Sequence, residues 1–113
     1  MITVEIHSTE ERKSYGFEFS GHAYSGDPGR DLVCAGASAI AFGTVNAINQ
    51  LLQITPGIEQ GDEGGFLSVV IDPSDLDTET DAKLQIILQT MVTQVYTMVA
   101  SYGDFIELKY KMM

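Results

Sequence analysis

Ile2-Thr3-Val4-Glu5-Ile6-His7 and Tyr15-Gly16-Phe17-Glu18-Phe19-Ser20 are the stretches whose reading decides the fold. In both, apolar side chains occupy every second position, which is the period of a strand with one buried face. Between them Glu10-Glu11-Arg12-Lys13 is a charged turn, so the two runs predict a β-hairpin. The aromatic second strand suits a sheet packed on one side.

Outward from this hairpin, residues 23–30 carry the turn chemistry of Gly26, Asp27, Pro28 and Gly29 and read as a mobile loop without regular structure. Asp31 stands where a helix begins, and its carboxylate can accept the backbone N–H of Val33 or Cys34 as an N-cap. Ala37, Ile40, Ala41, Val45, Ile48 and Leu52 then follow helical spacing, and the small residues Ala35 to Ala39 permit close backbone approach. The helix is expected to end near Ile54, because Pro56 disfavours helical geometry at Thr55 and Gly57 follows.

Two short strands, Ile58 to Gln60 and Phe66 to Ile71, flank the turn Gly61-Asp62-Glu63-Gly64-Gly65. After Asp72-Pro73 an acidic segment, Asp77 to Asp81, suits the positive end of a second helix. Its stripe runs through Leu84, Ile87, Leu88, Met91, Val92, Val95, Met98, Val99 and Tyr102, with Gly103 as C-cap. Phe105 to Lys111 alternates again and closes the chain as a strand. The order ββαββαβ predicts an α+β fold, a mostly antiparallel sheet packed with two helices, in a single domain over residues 1–113. Strand order does not follow from these patterns.

At 113 residues and 44% hydrophobic content the chain supports one core. A formal net charge of −10 disfavours direct binding to nucleic acid or an anionic membrane and favours a basic partner. The single cysteine, Cys34, excludes an internal disulfide, and with only His7 and His22 beside it a Cys-rich zinc site is excluded too; no metal and no cofactor are expected. The N-terminal residues lack the pattern of a signal peptide, and no apolar segment is expected to reach bilayer-spanning length. The cytoplasm is the expected compartment.

The chemistry concentrates in Gly21-His22-Ala23 and Leu32-Val33-Cys34-Ala35-Gly36-Ala37-Ser38. A thiolate is favoured by a helix N-terminus and by a neighbouring imidazolium, and the strand end at His22 and the helix start at Cys34 offer both. Free cysteine is more often an inert buried side chain, but Cys34 lies at an element boundary just after a Gly-rich loop. Gly21 and Ala23 leave the His22 ring uncrowded, whereas His7 belongs to the exposed face of the first strand. Asp31 either orients His22 or caps the helix carrying Cys34, and a carboxylate beside the sulfur would oppose thiolate formation. Ser38, one turn after Cys34, can donate a hydrogen bond to thiolate or substrate, or serve only in helix packing. The Gly26 to Arg30 loop lacks the lysine and hydroxyl residue of a phosphate loop, so nucleotide binding is discounted.

At these residues the chain resembles the ribosomal-processing cysteine protease (Prp) family. The resemblance rests on Gly21-His22-Ala23, Gly29 and Asp31-Leu32-Val33-Cys34-Ala35-Gly36-Ala37-Ser38-Ala39, continuing through Phe42-Gly43-Thr44-Val45-Asn46-Ala47-Ile48, with Leu32 where isoleucine is commoner. It implies that His22 and Cys34 are the catalytic pair, with Gly21, Asp31 and Ser38 in support, and that the enzyme is a homodimer. It further implies a substrate: large-subunit ribosomal protein number twenty-seven, basic, with a pair of phenylalanines near the cut that removes its N-terminal extension. Two other readings compete with the peptidase. One is a non-catalytic acidic binding module for a basic ribosomal protein; the other, a redox sensor on Cys34, lacks a resolving cysteine.

Overall fold

The computed structural model describes residues 1–24, 26, 31–62 and 64–113. They form β1 (Ile2–Ser8), β2 (Ser14–Ser20), α1 (Leu32–Leu52), β3 (Gly57–Gln60), β4 (Phe66–Val70), a 3-10 turn at Pro73–Asp75, α2 (Thr78–Tyr102) and β5 (Ile106–Met112). This is the expected order and class, an α+β domain with a mostly antiparallel sheet and two helices.

The five strands lie in the order β3-β4-β2-β1-β5, all neighbours antiparallel except β1 with β5. The β1–β2 hairpin pairs Val4 with Phe19 and Ile6 with Phe17, so both apolar sets point to one face. That face is covered by the helices. Val4, Ile6, Phe17, Val69 and Ile106 of the sheet are fully buried, as are Ile48 of α1 and Leu84, Leu88, Met91 and Val95 of α2. Strand period 2 and helix period 3.6 thus converge on one core.

Both helices begin as their cap residues dictate. Asp31 accepts the Cys34 N–H at 3.0 Å, and Asp77 accepts that of Thr80 at 2.7 Å, each satisfying an amide that has no partner inside its helix. At its other end α1 stops at Leu52, short of Ile54, because Gln53 turns left-handed at φ 56° and returns its N–H to Asn49. Gly103 ends α2 in an ordinary right-handed conformation, with φ −60°. The apolar stripe of α2 fades at Met98 and Val99, which are half-buried, and at Tyr102, which is exposed. The reason is length: twenty-five helical residues run past strands of seven.

Two expectations need correction. α1 is long and apolar enough, by length and composition, to cross a membrane. Here it is a packing helix, with Val33, Ala37, Ala41, Thr44 and Ile48 buried and with Gly36 so close to α2 that a Cβ there would meet the Met98 methyl at 3.1 Å. His7 is half-buried on the helix-free face, its Nε2 2.9 Å from Glu5 and its ring leaning over Gly16. What Gly16 itself avoids is the Val69 carbonyl, which a Cβ there would meet at 2.8 Å.

Candidate active site

The site forms where β2 ends, α1 begins and the β3–β4 turn folds back. Gly21 takes φ 88°, and a Cβ on it would collide with the Met1 carbonyl, so only glycine lets β2 turn here. Its N–H donates to Gly65 O at 2.8 Å, tying the end of β2 to the β3–β4 turn. The next residue is His22. Its carbonyl accepts the Met1 nitrogen at 2.6 Å, which anchors the backbone while the side chain stays exposed.

Ala23 then turns inward and is buried, and its N–H donates to the Cys34 sulfur at 3.3 Å. Cys34 itself is half-buried in the first turn of α1. The helix start is less free than expected as an anion site, because the Cys34 and Ala35 amides both donate to Asp31, through its carboxylate and its carbonyl, each at 3.0 Å. For Asp31, the N-cap is the role this geometry displays. Ser38 is exposed one turn further on.

His22, Cys34 and Ser38 line one cavity of about 250 Å³, walled by apolar side chains that include Phe19, Ala41, Phe42, Phe66 and Leu67. Gly21 lies at its edge. Fold topology therefore brings the expected pair to one place. Among the described residues no hydrogen bond joins the His22 ring to the Cys34 sulfur. The reading of 23–30 as a mobile loop falls largely outside the described residues.

Three contributors escaped the sequence reading. Phe42 and Phe66 furnish aromatic wall, and the β3–β4 turn, read only as a hairpin connection, brings Gly61 and Gly65 against the site. The Gly64-Gly65 doublet was the available signal, since both take positive φ (77° and 72°). Tyr24, φ 57°, sets its ring 5.8 Å from that of His22 at a tilt of 57°. Away from the site, Glu5, His7 and Glu18 place possible metal-ligand atoms within 4.8 Å of one another on the helix-free face. The Glu5–His7 pair already accounts for that cluster.

A cysteine and a histidine thus line one largely apolar cavity, on an α+β frame that holds an amide against the sulfur. The family model described as Cysteine protease Prp matches residues 1–107, and the chain belongs to that family; it is a cysteine-type protease. The ribosomal processing cysteine protease Prp of Staphylococcus aureus is 42% identical over 111 residues, covering 98% of this chain and 100% of that one. That of Bacillus subtilis is 35% identical over 104 residues, covering 92% of each. The crystal structure of the S. aureus protease with a covalently linked product peptide superposes with TM-score 0.87 at 40% identity, over 98% of this chain and 100% of that one.

Proposed function

We propose that the chain is an endopeptidase that removes the N-terminal extension of large-subunit ribosomal protein number twenty-seven, with Cys34 as nucleophile and His22 as base. The observation that carries this reading is the meeting of Cys34 and His22 in one apolar cavity with the Ala23 N–H on the sulfur. The Cys34 thiolate attacks the scissile carbonyl and forms a thioester, while the protonated His22 ring gives its proton to the leaving amine. Neutral His22 then takes a proton from water, which attacks the thioester and releases the acid product and the free thiol.

The cavity's aromatic and aliphatic walls suit the phenylalanine pair near the cut. A net charge of −10 suits a basic ribosomal substrate and repels nucleic acid and anionic lipid. Ribosome maturation places this activity in the cytoplasm. A homodimer is the assembly we infer, with Leu51 of α1 and Ile86 of α2, both exposed, available for a second copy to cover; sedimentation equilibrium reads it directly.

The deciding experiment is mass spectrometry of the ribosomal protein after incubation with wild-type, Cys34→Ala and His22→Ala chains. A new N-terminus made by the wild-type chain alone is the expected result. Equal turnover by Cys34→Ala would overturn the assignment, and tight binding without any product would favour the acidic binding module.

A further inference from the structure

The β3–β4 turn does more than connect two strands. A Cβ built on Gly65 would stand 2.5 Å from Nε2, 2.9 Å from Cε1 and 3.2 Å from Cδ2 of His22. Three ring atoms that close mean the imidazole lies on the bare Gly65 backbone, with no room for a methyl group between them. The same residue accepts the Gly21 N–H at 2.8 Å, so the turn is fastened to the backbone from which the ring projects. The Tyr24 ring also touches the imidazole, tilted by 57°.

We propose that Gly65 is a positioning residue for His22: its bare Cα is the floor that sets where the imidazole stands relative to Cys34. This rests on the reading of His22 as the base. His22 is exposed, so a methyl at 65 displaces its ring without disturbing the core. Proton transfer, however, tolerates little misplacement, and a shift of about 1 Å costs on the order of 100-fold in rate.

Gly64 supplies the comparison. Its φ is nearly the same, 77° against 72°, so alanine at either position is forced to a positive φ. Among the described residues, a Cβ on Gly64 meets nothing within 4 Å. Gly64 also lines the cavity, so Gly64→Ala reports strain and an added methyl at the cavity wall without touching the imidazole, whereas Gly65→Ala adds collision with the His22 ring.

The test measures peptide cleavage by wild-type, Gly64→Ala and Gly65→Ala chains, with thermal melts of each. Gly65→Ala is expected to lose about 100-fold in kcat with a smaller change in KM and an altered pH–rate profile. Gly64→Ala is expected to stay within about threefold of wild type, at a melting temperature close to that of Gly65→Ala. Equal losses in the two variants would overturn the proposal. A second measurement needs no variant: in the wild-type chain, nuclear Overhauser contacts should join the Gly65 α-protons to the His22 ring protons, and their absence would overturn it as well. An inactive wild-type chain that still showed these contacts would instead refute the peptidase reading and leave the floor in place.

Discussion

Cys34 sits where it does because Asp31 starts the helix. The Asp31 carboxylate holds the Cys34 amide at 3.0 Å, which fixes the first turn and turns the sulfur toward the Ala23 N–H at 3.3 Å. Asparagine keeps an oxygen acceptor at the cap and alanine does not. Asp31→Asn should therefore retain nearly full stability in urea, while Asp31→Ala loses about 1 kcal/mol. If both lost the same amount, the carboxylate's charge rather than its acceptor would be what matters. Gly21, by contrast, has no substitute: alanine there meets the Met1 carbonyl at a positive φ, so Gly21→Ala should cost activity through a displaced His22. The Gly21 consequence could not be read from the sequence. The N-cap pattern was visible in Asp31, but the choice between capping the helix and orienting His22 needed the distance.

At the scale of elements, the start of α2 is fastened to β2 by a polar cluster. Gln85 brackets Ser14, accepting its N–H at 2.8 Å and donating to its carbonyl at 2.9 Å, while the Tyr15 hydroxyl donates to Asp81 at 2.9 Å and Lys13 reaches the same carboxylate at 3.3 Å. Burial pushes the Asp81 carboxyl up, but the hydrogen bonds from Gln85, Tyr15 and Lys13 outweigh it and hold the group below its usual range. A carboxyl held low in the folded state contributes stability at neutral pH that is lost as pH falls below the ordinary aspartate range. Burial first, and the hydrogen bond to Asp81 second, push Tyr15 up to about 12. That contribution has the opposite sign, being intact below pH about 10 and lost as pH rises toward the folded value. Tyr15→Phe should lower stability by about 2 kcal/mol at pH 7 and flatten both limbs of the stability–pH curve, measured by denaturant unfolding across pH. An unchanged curve would mean the cluster is incidental.

For the whole molecule, charge and core make separate predictions. With a net charge of −10, cleavage of the intact basic ribosomal protein should slow by about tenfold between low salt and 0.5 M salt, through kcat/KM. A short neutral peptide spanning the cut should show almost no such dependence, and equal salt effects on both would rule out steering. Phe17 is fully buried at the centre of the sheet, paired with Ile6 and Val69, and Phe17→Ala should cost about 4 kcal/mol in denaturant unfolding. That is a large share of the stability of a domain this small.

The order of elements, the one-sided hairpin of Ile2 to Ser20, the Asp31 N-cap and the candidate pair His22 and Cys34 were legible in the chain itself, because period, capping and turn chemistry are local properties. The placement of β5 parallel to β1, the membrane-length helix α1 serving as packing, the half-burial of His7 against Glu5 and the Gly65 floor beneath His22 were decided by the tertiary structure. Each depends on which residues distant in sequence become neighbours. Alternation tells a strand which face to bury and says nothing about which edge it joins, and a glycine doublet signals a turn without naming the ring it will carry.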